Sequence, residues 1–461
     1  MKLRDATHIH CIGAGGIGLS ALAKLFLAQE KVVSGSDKTA TDITKELARR
    51  GVAMTYSQTG GVPKGTDMVI YSEAVPFESP ERADARAKAI PEMSYAEALG
   101  AISKDKRTIA VSGTNGKSTT TAMLGLILEA AGFDPTVVIG SRVPSFALSN
   151  LRIGEGEWMV VEADDYHAHM LQLRPEIIVL TNIEEEHLDY FKDLAHIIRT
   201  FQSFVDSLPE DGTLIMNADD PVSFEDLTPH ANTVTYGIDA PADYVARDLA
   251  TRHGQQSFTL ARGGADEPIA EIALNVPGRF NAMNALAAAT CALHLGVSPE
   301  VIRDVLAEFT GIWRRFERVG TCNGADIFSD YGHHPTSIRG TIAAAREFYP
   351  GRRLVLVYQP HQRNRTRQLL ADFAGAFDGV DLLLLSDIYD VAGREDAADE
   401  GVTSALIVDE MKKRSSSPTV ALAGDLVQTE QAVRGAAKDG DVVIIMGAGD
   451  IDSVARNLAQ S

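Results

Sequence analysis

Short apolar runs alternate with helical patterns along almost the whole chain. Continuous apolar runs of this kind predict strands that are buried on both faces, as in a parallel sheet covered by helices. The repeated order of strand, helix and strand indicates an α/β protein. The predicted strands are His8–Ile12, Asp67–Tyr71, Thr108–Val111, Trp158–Val161, Ile177–Leu180, Leu354–Tyr358, Asp381–Leu385 and Val442–Met446.

Glycine-rich turns divide this pattern into three parts. They open at Gly13 and Gly113 and recur near the C-terminus at Gly447–Gly449. Polar segments at Ser103–Arg107 and Val319–Gly324 interrupt the apolar pattern, and we interpret them as the joints between the parts.

The turns and joints together predict three domains. Their predicted bounds are residues 1–105, 106–319 and 320–461. In the middle domain, residues 212–270 contain more turns and fewer helical repeats than the rest, so we interpret this stretch as a β-rich decoration.

Composition narrows the class of protein. The chain has 461 residues, of which 45% are hydrophobic and 23% charged, as is ordinary for a soluble globular protein of two to four domains. Its formal net charge of −20 argues against non-specific binding to nucleic acid. No apolar run reaches the roughly 18 residues of a spanning helix, and the start lacks a signal-peptide pattern, so we expect no membrane association.

Two residue types have plain interpretations. The cysteines Cys11, Cys291 and Cys322 lie far apart without metal-ligand spacing, and an odd, sparse count is typical of a reducing cytoplasm. We expect them to be packing residues. The basic residues form two clusters that we interpret as solvated faces, Arg314, Arg315 and Arg318, and Arg363, Arg365 and Arg367.

The first glycine loop, Gly13–Gly18, follows a strand and precedes a predicted helix, Leu19–Gln29. Glycines there let backbone N–H groups approach a diphosphate at a helix N-terminus. Asp37 lies about as far downstream as the acid that holds a ribose hydroxyl in dinucleotide sites. The pattern predicts a nucleotide diphosphate, and both NAD and a UDP-sugar satisfy it.

The second glycine loop reads Gly113-Thr-Asn-Gly-Lys-Ser-Thr119 and opens a predicted helix, Thr121–Ala131. It resembles a phosphate-binding Walker loop, although the strict pattern would place glycine at Val111. Backbone donors cradle phosphates in such loops, a lysine contacts β and γ oxygens, and a hydroxyl reaches Mg²⁺. Lys117 and Ser118 therefore predict ATP binding, for which a nicotinamide dehydrogenase has no use.

Acidic residues and a histidine follow the next two strands. Glu162 ends the strand that begins at Trp158, and His187 follows three glutamates after the strand Ile177–Leu180. Ligand groups gather at the carboxyl ends of parallel strands, and Mg²⁺ prefers oxygen ligands. Glu162 is therefore a predicted metal ligand beside Ser118. His187 is on this chemistry either a ligand or a surface partner of the glutamates.

Several motifs occur in order along the chain and together resemble the Mur ligase family. The resemblance covers nearly the whole sequence. It rests on Gly113–Thr119, Glu162-Ala-Asp164, Thr181-Asn-Ile183, His187-Leu-Asp189, Asn217-Ala-Asp-Asp220, Pro277–Asn281, Asn284, Arg314-Arg-Phe-Glu317 and Ser329–Pro335. Within the family, the opening His10–Ser20, the run Asp330–Pro335 and the run Gln359–Thr366 resemble the branch that adds L-alanine.

The resemblance implies a three-domain α/β fold. It consists of a Rossmann-like N-terminal domain, a P-loop-type central ATPase domain with a parallel sheet, and a Rossmann-like C-terminal domain that closes over the ATP and amino-acid sites. The N-terminal domain would bind the UDP-sugar. Its implied contacts are Gly13, Gly15, Ile17, Gly18, Ser20, Asp37 and Ser72.

Further site residues follow from the same resemblance. The implied ATP contacts are Gly113, Thr114, Asn115, Gly116, Lys117, Ser118, Thr119, Asn281, Asn284, Arg315 and Asp330. The implied Mg²⁺ ligands are Ser118, Glu162 and His187, and the implied catalytic residues are Lys117, Glu162, His187 and Arg315. The implied contacts of the acceptor and amino acid are Tyr331, His333, His361 and Arg365.

The implied reaction joins the carboxylate of UDP-N-acetylmuramic acid to L-alanine through an acyl phosphate, with ATP and Mg²⁺, in the synthesis of peptidoglycan precursors. Such a protein would be cytoplasmic and a monomer or weak homodimer. The base that deprotonates the amine is left open between His333 and His334. Phe280, Gln362 and Arg363 depart from the family's usual residues.

Three alternatives remain at the level of sequence. A murein-peptide ligase would attach a recycled peptide to the same acceptor. A nicotinamide-dependent oxidoreductase would use the Gly13 loop, but the Gly116-Lys-Ser118 loop counts against it. A nucleotide sensor without catalysis would not need Glu162, His187 and Arg315 together.

Overall fold

The computed structural model describes residues 2–187, 190–252, 255–265, 267–390, 399–414 and 418–460. Asp189 of the His187-Leu-Asp189 motif lies outside these residues. The chain divides into two compact units. The first comprises Met1–Arg247, Thr259–Glu271 and Met283–Leu306, and the second Asp248–Phe258, Ile272–Ala282 and Ala307–Ser461.

A five-stranded sheet near the N-terminus has the order β3-β2-β1-β4-β5, with all of its strands parallel. The strands are β1 (His8–Ile12), β2 (Val32–Ser36), β3 (Ala53–Thr55), β4 (Met68–Tyr71) and β5 (Glu92–Ser94). The helices of this region are α1 (Ile17–Ala28), α2 (Asp42–Arg49), α3 (Pro80–Ala87) and α4 (Tyr95–Ser103), after a 3-10 turn at Leu3–Asp5. The order reverses at β1 and β4, and in open α/β sheets such a point holds the ligand crevice.

A ten-stranded sheet follows, with the order β15-β14-β13-β12-β11-β10-β6-β9-β7-β8. Its first strands are β6 (Arg107–Ser112), β7 (Thr136–Val138), β8 (Leu151–Arg152), β9 (Trp158–Glu162) and β10 (Ile177–Leu180). The later ones are β11 (Thr213–Asn217), β12 (Asn232–Gly237), β13 (Tyr244–Arg252), β14 (Gln255–Arg262) and β15 (Pro268–Leu274). The helices are α5 (Lys117–Ala130), α6 (Leu194–Val205), α7 (Pro221–Asp226), α8 (Arg279–His294) and α9 (Pro299–Glu308), with a 3-10 segment at Tyr166–Gln172.

The interpretation of residues 212–270 as a decoration is wrong. The stretch is β-rich, but β11 pairs in parallel with β10 and with β12, so its strands continue the central sheet. The pattern misled because β12–β14 are only partly buried, and in β14 buried positions alternate with partly exposed ones. Alternation of this kind is typical of strands with one solvated face.

A six-stranded sheet near the C-terminus has the order β16-β17-β21-β18-β19-β20. Its strands are β16 (Glu317–Cys322), β17 (Ala325–Asp330), β18 (Leu354–Tyr358), β19 (Leu382–Ser386), β20 (Thr419–Gly424) and β21 (Val442–Met446). The helices are α10 (Pro335–Phe348), α11 (Arg363–Gln368), α12 (Leu370–Ala376), α13 (Ala405–Met411), α14 (Leu426–Ala436) and α15 (Asp452–Ala459). The three-domain α/β class is thereby confirmed.

The predicted joint at Val319–Gly324 is also wrong. These residues form the end of β16 and the turn into β17, and the two strands pair antiparallel. The turn contains Asn323 and Gly324, both with positive φ, which is the backbone that a tight hairpin requires. The sequence pattern indicated a joint because this turn within one sheet is polar, as linkers between domains are.

The apolar runs form the cores as expected. Strands β10, β18 and β21 are buried along their whole length. Cys11, Cys291 and Cys322 are buried thiols, in agreement with their interpretation as packing residues. None of the helices in the described residues combines the length and the apolar character that a membrane crossing needs.

Candidate active site

The second glycine loop connects β6 to α5 at the carboxyl edge of the central sheet. Gly113 and Gly116 have φ values of +130° and +87°, which glycine adopts without strain. Neighbouring strand ends hold the loop, since the Asn115 N–H donates to Asn182 Oδ1 at 3.0 Å and Thr181 Oγ1 donates to the Asn115 carbonyl at 2.6 Å. The loop is therefore rigidly placed at the start of α5, where backbone donors and the helix dipole favour an anion.

Lys117, the first residue of α5, is bonded on three sides. Its Nζ donates to the carbonyls of Gly113 and Thr114 at 2.7 and 3.1 Å and to Asp165 Oδ1 at 2.8 Å. Burial opposes its charge, but the carboxylates of Asp165, Asp164 and Glu186 outweigh burial and raise the pKa of Lys117. The loop thus holds the charged ammonium group between two of its own carbonyls and the Asp165 carboxylate.

Ser118 and Glu162 lie together beside this lysine. Ser118 Oγ donates to Glu162 Oε1 at 2.9 Å, and the Gly140 N–H donates to Glu162 Oε2 at 2.7 Å. A hydroxyl and a carboxylate next to a phosphate loop form the oxygen donor set that Mg²⁺ prefers. The residues present therefore fit a magnesium ion held jointly with bound phosphates.

His187 lies in a second group of ligand-type atoms. Within the described part of the chain, Asp164, Asp165 and His187 each place one such atom within 4.8 Å of the others. The sequence pattern predicted His187 as a metal ligand together with Glu162, and it did not predict Asp165 as a site residue. Its signal was present, since Asp165 stands three positions after Glu162, at the carboxyl end of the same strand.

A histidine-containing segment, Tyr166–His169, follows these aspartates. His167 and Ala168 are consecutive non-glycine residues in the left-handed region, at φ 50° and 57°, which persists only where the surroundings impose it. His167 stacks on Tyr190 with 4.5 Å between ring centroids. His169 lies between two carboxylates, with Nδ1 3.4 Å from Asp164 and Nε2 3.7 Å from Glu73.

The first glycine loop follows β1 and is tied to the end of β2. The N–H groups of Gly13 and Ala14 donate to the Ser36 carbonyl at 2.8 and 3.0 Å, and the Gly15 N–H donates to Asp37 Oδ2 at 2.8 Å. These bonds use loop donors within the protein. The start of α1 at Ile17 is therefore the part of the loop that is oriented as an anion site.

Two other predicted nucleotide contacts have defined surroundings. A Cβ atom at Gly18 would lie 2.6 Å from the Tyr95 ring, so glycine is needed there for packing. Ser72 directly follows β4. Its N–H donates to the Ile12 carbonyl, and its side chain lies against Gly13. Ser72 and the loop therefore share one edge of the sheet.

Ser20 requires a correction. It is completely buried, donates to the Ile17 carbonyl at 2.8 Å, and accepts from Asn150 at 3.0 Å. Asn150 also accepts from the buried Lys24 at 2.8 Å. Ser20 and Lys24 thus attach α1 to the segment that ends at Asn150, and the structure does not bring Ser20 to the ligand-facing side of the loop.

Asn284 belongs to the first unit and lies against the Walker-like loop. Its Oδ1 accepts from Thr120 at 3.3 Å, and it would collide with a side chain placed at Gly116. Thr114 also helps to fix the loop, because its hydroxyl accepts from the Glu184 N–H at 2.9 Å. Thr119 is buried on α5. The structure therefore brings most of the predicted ATP residues of this unit together.

The second unit contains the remaining predicted ATP residues. Asp330 accepts from the N–H groups of Phe316 and Gly332, both at 2.8 Å. Burial nevertheless raises the pKa of Asp330. Arg315 places its guanidinium carbon 5.1 Å from the Tyr331 ring centroid. Asn281, in the first turn of α8, donates to the carbonyl of Pro277, which precedes the helix, at 2.7 Å.

The predicted acceptor and amino-acid residues of this unit form one cluster. The His361 ring is stacked on Tyr389 at 5.5 Å with an interplanar angle of 15°, and Arg365 Nη1 lies 3.4 Å from His361 Nδ1. His333 lies 5.9 Å from His361 and 5.4 Å from Tyr331, between ring centroids. Tyr389 was missed, because it is distant in sequence and lies in no motif.

The interpretation of the arginine clusters as solvated faces is wrong for Arg314. This side chain is 7% exposed and donates to the carbonyls of Gly447 and Gly449. Burial lowers the pKa of Arg314. In the other cluster, Arg363 pairs with Asp390 at 2.9 Å and Arg367 with Asp399 at 2.7 Å, and Arg365 is the arginine beside His361.

Family models match three consecutive parts of the chain. The Mur ligase family catalytic domain matches residues 8–107, the Mur ligase middle domain residues 111–292, and the Mur ligase glutamate ligase domain residues 314–449. Together with the two glycine loops, these matches define the class. The chain belongs to the Mur ligase family.

Individual relatives share the chain's length. UDP-N-acetylmuramate–L-alanine ligases from Sorangium cellulosum and Salinibacter ruber are each 38% identical, over 98% and 96% of this chain and 95% and 92% of their own. The crystal structure of UDP-N-acetylmuramate-alanine ligase from Thermotoga maritima superposes with a TM-score of 0.84 at 26% identity and covers 98% of both chains. A murein peptide ligase from Psychrobacter arcticus shares the fold, with a TM-score of 0.72 at 24% identity and 98% coverage of both.

Proposed function

We propose that the protein is an ATP-dependent ligase that joins the carboxylate of UDP-N-acetylmuramic acid to the amine of L-alanine, in the synthesis of peptidoglycan precursors. The observation that carries the phosphate chemistry is the Lys117 ammonium, held at a phosphate loop beside the Ser118–Glu162 pair. The choice of substrates is supported by the names of relatives that match this chain over nearly its whole length. We place the reaction in the cytoplasm and expect a monomer or weak homodimer.

The reaction has two steps. A carboxylate oxygen of the muramic acid attacks the γ-phosphorus of ATP, the bond to the β-γ bridging oxygen breaks, and ADP leaves. The nitrogen of L-alanine then attacks the carbonyl carbon of the acyl phosphate, and inorganic phosphate leaves the tetrahedral intermediate. Positioning and charge stabilisation dominate the first step, because phosphoryl transfer needs little proton chemistry.

Lys117, Ser118 and Glu162 would serve the first step. Lys117 contacts loop carbonyls and Asp165, so we propose that it exchanges these partners for phosphate oxygens when ATP binds. Ser118, Glu162 and His187 would hold Mg²⁺, which neutralises charge on the transferring phosphoryl group when bound. Gly113–Thr119, Asn284, Asn281, Arg315 and Asp330 would complete the ATP contacts.

The second step requires a base, because an ammonium ion is not a nucleophile. His334 caps α10, with its Nδ1 accepting from the Thr336 N–H. His333 Nδ1 lies 3.3 Å from the Tyr331 carbonyl, and we propose the tautomer in which Nδ1 donates to this carbonyl and Nε2 is the basic nitrogen. We therefore propose His333 as the base, with Arg365, His361 and Tyr331 as contacts of the substrates.

The test is phosphate release with UDP-N-acetylmuramic acid, ATP and a set of amines. We expect the kcat/KM for L-alanine to exceed that for the tripeptide L-Ala-γ-D-Glu-diaminopimelate by orders of magnitude. Glycine and L-serine should react more slowly than L-alanine, by a modest factor, because one methyl group changes binding by only about 1–3 kcal/mol. Preference for the tripeptide would identify a murein-peptide ligase instead.

A further inference from the structure

A buried polar network lies beneath the first glycine loop and has no part in the chemistry above. It consists of His10 on β1, Ser34 and Ser36 on β2, and Glu81 at the start of α3. His10 Nδ1 lies 2.9 Å from Ser34 Oγ, its Nε2 lies 3.4 Å from Glu81 Oε1, and Ser36 Oγ donates to Glu81 Oε2 at 2.6 Å. All four residues are at most 3% exposed.

This network ends directly at the loop. Ser36 is bonded to Glu81 through its hydroxyl, and its carbonyl accepts from both Gly13 and Ala14. The next residue, Asp37, accepts from Gly15. The loop backbone is therefore bonded to the β2 end, and the Glu81 carboxylate adds a side-chain bond from α3 to Ser36, which the sheet also holds through its pairing with β1 and β3.

A buried carboxylate is costly unless its oxygens are bonded, so its presence beneath the loop needs a physical reason. Both oxygens of Glu81 have partners, and Glu81 follows Pro80 in the first turn of α3, where the helix dipole favours an anion. An apolar residue would fill the same space but could not accept from the Ser36 hydroxyl. Compared with an apolar residue, Glu81 therefore adds a hydrogen bond that orients the end of β2.

We propose that Ser36 and Glu81 are positioning residues for the UDP group of the acceptor. They fix the loop so that the N-terminus of α1 faces the diphosphate, without touching the ligand themselves. The inference rests on the proposed function, because it assumes that this loop binds the nucleotide of the acceptor. It adds residues on β2 and α3 to a site that the loop motif alone would confine to Gly13–Gly18.

The experiment compares two serines that are both completely buried and both lie in the N-terminal domain. Ser36→Ala removes the hydroxyl that meets Glu81, whereas Ser103→Ala removes one that donates to the Gly100 carbonyl at 2.9 Å, away from the loop. Calorimetry of each full-length variant with UDP and with a non-hydrolysable ATP analogue gives both affinities. We expect Ser36→Ala to weaken UDP binding about tenfold, as for a lost buried hydrogen bond, and to leave ATP binding unchanged.

Ser103→Ala should lower thermal stability to a similar degree and leave both affinities unchanged. In the reaction, Ser36→Ala should raise the KM for the UDP-sugar with little change in kcat. Glu81→Gln should keep the UDP affinity and the KM of the unmodified protein, because an amide can accept from Ser36 and donate to His10.

Unchanged UDP affinity in folded Ser36→Ala, or equal weakening of UDP and ATP analogue, would overturn the inference. The same holds if Glu81→Gln binds UDP as poorly as Ser36→Ala does. If the unmodified protein fails to bind UDP, the assignment of the acceptor site fails first and this inference falls with it. The two failures are thereby distinguished.

Discussion

The side-chain ammonium group of Lys117 has three hydrogen-bond partners, two loop carbonyls and the buried Asp165. Phosphate oxygens must therefore replace existing bonds. Asp165, whose side chain is 2% exposed, would lose its cation if Lys117 were removed or moved away. Stability and catalysis thus both depend on this one residue.

Lys117→Ala should lower kcat by about 10²–10³-fold, because it removes charge that stabilises the transferring phosphoryl group. It should also lower thermal stability, since a buried carboxylate loses its partner. Adding Asp165→Asn should restore stability but not turnover, and Lys64→Ala at an exposed position should change neither. Near-normal phosphate release in the single variant would contradict the assignment.

Residues in contiguous motifs could be predicted from sequence, and their partners could not. Lys117 and Ser118 follow from one loop, because seven consecutive residues specify its backbone. The bond from Lys117 to Asp165 joins residues 48 positions apart and depends on strand order. Ser20 shows the reverse error: a residue within a motif is buried against Asn150, 130 positions away.

At the scale of elements, helix α5 has a glycine with positive φ at each end. Gly116 precedes the helix at φ +87°, and Gly132 follows it at φ +82°. A side chain at Gly116 would meet Asn284, whereas open space surrounds Gly132. Substitutions at these two positions therefore distinguish the effect of backbone strain from the effect of a disturbed phosphate loop.

Gly116→Ala and Gly132→Ala should each lose about 1–2 kcal/mol of unfolding free energy from left-handed strain. Only Gly116→Ala should also abolish binding of an ATP analogue, because Asn284 must leave Thr120 to admit the methyl group. Urea unfolding and calorimetry measure the two effects. Equal nucleotide affinity in both variants would refute this role of Asn284.

A carboxylate connects the starts of β1 and β4 through hydrogen bonds. The Thr7 hydroxyl and the N–H groups of His8 and Thr7 donate to Asp67 and lower the pKa of Asp67 to about 2. Because the pKa is lower in the folded state than the unfolded value of about 3.9, Asp67 stabilises the fold above pH ~4, and this contribution is lost as pH falls towards 2.

We therefore expect the difference in unfolding free energy between the unmodified protein and Asp67→Asn to be largest near neutral pH and to shrink between pH ~4 and ~2. Urea titrations across this range measure it. Asp105→Asn, at an exposed carboxylate, is the control. A difference that stayed constant with pH would show that the ionised form of Asp67 has no special role.

Apolar runs specified the buried strands closely, and polar stretches were the source of error. β1, β10, β18 and β21 have the predicted bounds, because continuous hydrophobic runs have few alternatives. β12–β14 and β16 contain many residues that are partly or fully exposed, so their composition resembles that of loops and linkers. These residues belong to the sheets because they pair with strands that are distant in sequence, and local composition does not reveal such pairing.

At the scale of the whole molecule, we expect the two glycine loops of the first unit to bind two different nucleotides. Asp37, the acid expected to bind a ribose, already accepts from the Gly15 N–H of the first loop. With a separate triphosphate loop at Gly113, the first loop is expected to bind the UDP-sugar and not NAD. Titration of the full-length protein with UDP-N-acetylmuramic acid and with NAD should give heat only for the former, and tight NAD binding would restore the oxidoreductase hypothesis.

The three buried thiols have a consequence for observing the molecule in motion. Cys11, Cys291 and Cys322 fall one in each of the three matched family domains. Burial raises the pKa of Cys11 to about 12, so this thiol reacts with an alkylating reagent only when β1 becomes accessible. The chain therefore carries an intrinsic label in each domain. Mass-resolved alkylation rates, measured with and without each substrate, would report which domain opens first and which ligand keeps it closed.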